Sequence, residues 1–264
     1  MAALFVAWLV TQPLVLEARR RRLRQRPFPA AWSEILRRRM PYFWRLPTDL
    51  QLQLKGHIQV FVSEKPFVGC GDLAVTDDMR VTIAAQACLL VLNRRPRYYP
   101  NLSQILIYPG AFIVDKVRTD GIGILQEQRQ VLAGESWSQG QVILSWTDVV
   151  EGAAVADDGR NVVIHEFAHQ LDQEFGHANG APILARRQHY QSWSRVLRDA
   201  FSRLQEQARL GELSLLSHYG ATDPAEFFAV ASEVFFEQPE RLAVEDSALY
   251  AELHRFYRVD PLSW

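Results

Sequence analysis

The sequence predicts an α+β fold: a mostly helical domain with a small mixed β-sheet, preceded by an apolar N-terminal helix. Three observations carry this. Residues 1–16, MAALFVAWLVTQPLVL, are apolar apart from Thr11 and Gln12. Short β-rich runs cluster between residues 103 and 146, in SQILIYPGAFIVD and QVILSW. After Asp158 the apolar spacing is helical to the end of the chain.

The N-terminal segment, residues 1–18, is at the short limit for a membrane-spanning helix, and Pro13 sits inside it. The arginines of EARRRRLRQR follow the apolar run, whereas a cleaved signal peptide has its basic residues first. The positive-inside rule then keeps the rest of the chain in the cytoplasm, tethered to the inner face of the membrane. A helix lying in the interface and a loosely ordered extension are the alternatives. A helix buried in the domain is disfavoured, because the run abuts a dense charge block.

Residues 19–45 form an arginine-rich juxtamembrane segment with a short helix, Ala30 to Arg39. The spacing of Leu50, Leu52, Leu54, Ile58 and Val62 predicts a helix over residues 48–63. FVGCGDLAV reads as irregular or strand-like. Met79 to Leu92 reads as a buried helix capped by Thr76 or Asp77. Two β runs flank the turn pair Pro109-Gly110, and Gln141 to Trp146 is a further strand. The chain reads as mostly helical from there to its end, over residues 162–180, 183–210, 223–237 and 246–259. No linker is visible after residue 45, so residues 46–264 read as one catalytic domain.

Composition narrows the function. With 48% hydrophobic residues the chain can build a sizeable core. Cys70 and Cys88 are the only cysteines and form no C-x-x-C pair, which argues against a disulfide framework and a cysteine-built zinc site and fits a reducing compartment. The formal net charge is −1, and the basic excess lies on the flanking segment. No nucleic-acid partner is therefore expected.

The chemistry sits in VVIHEFAHQLDQEFGHANG, residues 162–180. On a helix His165 and His169 share a face and can offer two imidazole nitrogens to one Zn²⁺. Glu166 between them suits a general base for water activated by the metal. Asp172, seven residues past His165, suits an outer acceptor for a ligand imidazole N–H. The alternative is an ordinary amphipathic helix. It weakens because Val162, Val163, Ile164, Phe167, Ala168 and Leu171 wrap the helix in apolar residues, and buried polar groups without partners are costly.

A catalytic zinc needs a third protein ligand. His177 is mis-spaced for a metzincin pattern and Glu174 points to another face. The best candidate is Glu226 in HYGATDPAEFFAVASEVFFE, yet D-P-A-E is also a capping box, with Glu226 reaching back to the Asp223 amide. Glu233 shares a helix face with Glu226 and competes for the ligand role.

HEFAHQLD followed by YGATDPAEFFAVASEVFFEQPE resembles the Mlc titration factor A family of zinc peptidases. QILIYPGAFIVD, QGQVILSW and FYRVDPL extend the resemblance over most of the chain from about residue 50. The second motif is also similar to the catalytic domain of anthrax lethal factor. The resemblance implies a zincin-type metallopeptidase domain with one Zn²⁺ held by His165, His169 and Glu226. It implies Glu166 as general base and Tyr219 as the phenol facing the scissile carbonyl, with Glu233 and Asp172 outside the ligand shell. The expected partner is a peptide or protein substrate, which a strand such as Val142 to Ser145 would hold by strand addition. The family's best-known member binds a transcriptional repressor and has an aminopeptidase preference. A regulatory binding protein that sequesters a repressor, with zinc structural or regulatory, is therefore the second reading. Nothing legible marks a repressor-binding surface.

Overall fold

The computed structural model describes residues 1–94, 97–119, 125–132, 134–137, 140–174 and 176–264, with the backbone alone for residues 2–10 and for those within 112–139. The apolar run and the arginines form one continuous helix, α1 (Ala2–Gln25), with Pro13 inside it. This corrects the expectation of a separate apolar N-terminal helix. Arginine is a good helix former, so nothing stops the helix at the charge block. No helix among the described residues is long and apolar enough to cross a membrane. Leu14, Val15 and Leu16 are exposed on α1, while its last turns pack on α3 (Thr48–Glu64). Gly56 permits that approach: a Cβ there would stand 3.2 Å from Arg24 Cγ. Arg20 donates to both carboxylate oxygens of Glu64, at 2.9 and 2.7 Å, and its guanidinium stacks over Tyr98. From α2 (Ala30–Arg39), Arg38 and Arg39 pair with Asp78.

After β1 (Phe67–Gly69) comes the buried helix α4 (Asp77–Leu89), capped by the Thr76 side chain. β2 (Gln104–Tyr108), β3 (Phe112–Thr119), β4 (Leu125–Leu132), β5 (Gly134–Trp137) and β6 (Gln141–Ser145) follow. The mixed sheet has the order β1-β2-β6-β5, with β1, β2 and β6 parallel and β5 antiparallel to β6. The two runs flanking Pro109-Gly110 are both strands but do not pair. β3 leaves the sheet and forms a separate antiparallel hairpin with β4. The parallel strands are joined by long crossovers, as parallel pairing requires. The expectation that Val142 to Ser145 offers a free edge is wrong. β6 lies between β2 and β5 with both ladders filled, and its residues 142–145 are all buried.

The second half is helical: α5 (Trp146–Ala154), α6 (Val162–Asp172), α7 (His189–Leu210), α8 (Pro224–Glu237), α9 (Pro239–Glu245) and α10 (Ser247–Tyr257). α7 starts six residues later than its apolar spacing predicts. Leu184 instead donates its amide to the Tyr190 hydroxyl in the preceding loop. α6 is enclosed by α4, α5, α8, β5 and β6, and α8 by α6, α7, α9 and α10. Both helices are apolar around most of their circumference, which is the pattern of a buried helix. Phe167 of α6 packs on Phe61 and Tyr99, and Phe228 of α8 on Trp193 and Tyr257. The polar residues that α6 and α8 do carry are forced to meet each other.

Candidate metal centre

The amino end of α6 is fixed first. Asn161 caps it by accepting from the Ile164 amide at 3.0 Å. That sets the rotation of the helix and turns His165 and His169 toward α8. On α8 the cap is Asp223, whose carboxylate accepts from the amides of Ala225 and Glu226 at 2.9 and 3.0 Å. Glu226 makes no return bond to the Asp223 amide. The capping box is half made, and the Glu226 carboxylate is left to face the imidazoles.

Three donor atoms converge there. His165 Nε2 lies 3.0 Å and His169 Nε2 3.4 Å from Glu226 Oε2, and the two ring nitrogens are 3.3 Å apart. Ligand atoms on a tetrahedron with bonds of about 2.1 Å stand roughly 3.4 Å apart, so the cluster has the spacing a zinc ion asks for. Its protonation points the same way. His165 Nδ1 meets Glu233 Oε1 at 2.7 Å, and a carboxylate needs a donor, so the ring proton sits on Nδ1. Nε2 faces the Glu226 carboxylate and the other imidazole, and without metal a proton on Nε2 bridges to Glu226. A cation would displace that proton and take the same inward-facing nitrogen and oxygen atoms. Burial works against charge on His165, but the carboxylates of Glu233, Glu226 and Glu166 outweigh it and raise the ring well above the ordinary histidine range. Burial likewise lifts Glu226, yet the two imidazoles hold it well below the usual carboxylate range.

Behind His165 runs a second layer. Glu233 Oε2 accepts the Asn161 amide at 2.6 Å. The Asn161 side-chain NH₂ donates to Glu237 Oε1 at 3.0 Å, and the Arg160 amide donates to Glu237 Oε2 at 2.9 Å. Burial pushes the Glu237 carboxyl up to about 9, against the Asn161 hydrogen bond and with the help of Asp158 and Glu233. Glu226, Glu233 and Glu237 thus form one stripe along α8, bracing the start of α6. Sequence reading missed Asn161 and Glu237. Their signals were present: a cap residue before the motif, and a third glutamate at the same face spacing on an apolar helix.

Asp172 is placed differently from expectation. Its Oδ2 accepts from the amides of Asn179 and Gly180, both at 2.7 Å, and no hydrogen bond joins it to His169 among the described residues. At the end of α6 the free amides of the next loop are nearer than the ring. That loop lies against α8: Gly180, at φ +74°, has the Pro224 carbonyl where a Cβ would go.

Glu166 is buried and opens with His165 and Tyr219 onto a cleft of about 440 Å³, whose lining also includes Asp148, Glu151, Asp158 and Arg160. Tyr219 stands in a tight turn, His218–Ala221, with its ring centroid 5.9 Å from that of His165. Ser217 accepts from the Tyr219 amide, and Gly220 lets the turn sit flush on Leu204 and Val230. The ring is half exposed. Burial of its polar end and then the Glu226 carboxylate raise the phenol well above its ordinary range, so it stays an O–H donor.

The chain is similar to known proteins along most of its length. Residues 15–258 match the sequence model of a family described as glucose-regulated metallo-peptidase M90. An uncharacterized protein of Synechocystis sp. is 40% identical over 258 residues, covering 97% of this chain and 94% of that one. Mlc titration factor A of Klebsiella pneumoniae is 37% identical over 235 residues, 88% of this chain and 87% of its own. Mlc titration factor A of Salmonella agona is 35% identical over 233 residues, with 87% and 86% covered.

Proposed function

The chain belongs to the glucose-regulated metallo-peptidase M90 family, and from that premise we propose that it is a zinc-dependent peptidase hydrolysing peptide bonds in the cleft beside α6. The observation that carries the reading is the convergence of His165, His169 and Glu226, whose donor atoms all lie within 4.8 Å of one another. These three residues would hold one Zn²⁺, which supplies Lewis acidity for the water and for the scissile carbonyl. Glu233 keeps the His165 proton on Nδ1 and its lone pair inward. Glu166 takes the proton of the attacking water and passes it to the leaving amine. Tyr219 donates its O–H to the oxygen that becomes negative. The net acidic lining of the cleft supports an aminopeptidase preference, since Asp148, Glu151 and Asp158 outnumber Arg160 and would attract a free α-ammonium group.

A second reading rests on the relatives' name, Mlc titration factor A. In it the chain is a regulatory protein that sequesters a transcriptional repressor, with the metal structural or regulatory. Cytoplasmic location belongs to the proposal and is supported by two unpaired cysteines. So does contact of residues 1–18 with the inner membrane face, as an interfacial helix.

Metal analysis with peptide-library cleavage on wild type and Glu166→Gln tests the leading reading. The expected result is zinc in both proteins, with cleavage reduced about a thousandfold in the variant. Undiminished cleavage by the variant would remove Glu166 from the mechanism. Metal without cleavage in either protein would favour the binding reading.

A further inference from the structure

A second cavity, of about 710 Å³, lies among α1, α3 and the segment after α4, and shares no lining residue with the cleft. Arg20, Arg21, Arg24, Arg94 and Arg97 line it, against the single carboxylate of Glu17. Glu64 offsets Arg20, and Glu17 offsets Arg24. Arg21 and Arg94 have no ion-pair partner among the described residues.

His57 and Tyr98 add a second, independent observation. The Tyr98 oxygen accepts from Arg24 Nη1 at 3.3 Å and lies 2.7 Å from His57 Nδ1. The arrangement that satisfies all three atoms sends the phenol proton to Nδ1, which leaves the imidazole proton on Nε2. His57 is only 4% exposed, and its Nε2 has no hydrogen-bond partner. Arg94 Nη1 is likewise buried without an acceptor, although its guanidinium stacks 4.6 Å over the Phe256 ring and the Glu174 carboxylate is near enough to favour its charge. A cavity walled by positive charge, with two buried donors that lack acceptors, calls for an acceptor-rich anion.

The geometry points to a binding site for a phosphoryl group, held by Arg94, Arg21 and the His57 N–H, with Arg20, Arg24 and Arg97 completing the positive wall. Guanidinium groups match phosphate oxygens in pairs, and the volume leaves room for an attached organic moiety. Burial lowers the pKa of Arg94, a cost that a bound anion would offset. The phosphoryl group has two sources. One is a soluble phosphate compound. The other is a lipid headgroup, because α1 leads away from the cavity with Leu14, Val15 and Leu16 exposed.

Calorimetric titration of the full chain with inorganic pyrophosphate tests the site, in metal-loaded and metal-free protein. Flotation with phosphatidylglycerol vesicles distinguishes the sources. The expected result is binding to at least one probe, kept without metal, weakened about tenfold or more by Arg94→Gln and by Arg21→Ala, and changed less than about twofold by Arg26→Ala. Arg26 is exposed and lies outside the cavity, so it reports diffuse attraction. Arg21 is exposed too, which keeps the test valid should Arg94→Gln fail to fold. Pyrophosphate binding alone assigns a soluble ligand, and vesicle binding with the same ranking of variants assigns a lipid. Failure to bind either probe at millimolar concentration overturns the proposal, as does equal weakening by Arg26→Ala.

Discussion

The α6–α8 pair and the α1–α3 pair are both held by charged side chains, but the charges stand in different surroundings. Between α6 and α8 the imidazoles and carboxylates are enclosed, each contacting at least one other: Glu226, His169, His165, Glu233, Asn161, Glu237. Between α1 and α3 a single enclosed pair, Arg20 with Glu64, stands among arginines that mostly face water. In the first region each group depends on its neighbours, because a buried charge left alone is expensive. In the second, most pairs are exchangeable with solvent. The fold concentrates its electrostatic dependence where a metal would bind.

The sharpest way to break this comparison is Glu233→Gln set beside Asp172→Asn. Both remove a buried carboxylate near the cluster. Glu233→Gln is expected to lower metal affinity about 10- to 100-fold, measured by competition with a chromophoric chelator, because the His165 tautomer is no longer enforced. Asp172→Asn is expected to change metal affinity much less and to lower the melting temperature, since its hydrogen bonds run to the 179–180 amides and not to a ligand imidazole. The reverse ranking would restore Asp172 to the role first expected of it.

Within the amino-terminal region, Arg20→Ala is expected to cost about 1–2 kcal/mol in denaturant unfolding, through a partly buried Glu64 left without its partner and the lost stacking on Tyr98. Arg37→Ala, whose partner Glu34 is one turn away in water, is expected to leave the midpoint unchanged. Equal losses would mean that the two pairs do not differ as their burial implies.

The smallest effect concerns pH. Burial, with Arg24 nearby, lowers the His57 pKa to about 4. The unfolded chain binds that proton near pH 6.5 and the folded chain does not, so stability falls as pH drops from 6.5 toward 4. Between pH 7.5 and 5.5 this contributes about 1 kcal/mol of lost stability, which His57→Gln is expected to abolish. An identical pH slope in the variant would show that His57 is not the group responsible.

Legibility in the sequence follows the same division. His165, Glu166 and His169 are readable because helical spacing alone puts them together. Glu226 is ambiguous, since a capping box and a ligand ask for the same residue. Only the fold reveals that Asp223 caps alone. Glu233 is readable as a face partner, and Glu237 could have been found by continuing the stripe. Asp172 was misplaced because spacing gives a residue's face but not its nearest neighbour. Val142 to Ser145 was misread as an edge, although an unbroken apolar run already signals a strand covered on both sides. LQEQRQVL of β4 is rich in Gln and Glu, which carry little β signal, and α5 is short and has Gly152 inside it. The partners of the arginines, Glu64 and Asp78, lie about 40 residues away, beyond any local pattern.

The central claim is that α6 and α8 together grip one divalent ion. Metal content of the purified chain by mass spectrometry, compared with His169→Ala and Glu226→Ala of verified fold, tests it most directly. The account predicts one zinc per chain in wild type and loss of it in both variants. Folded variants that retain zinc as tightly as wild type would contradict it.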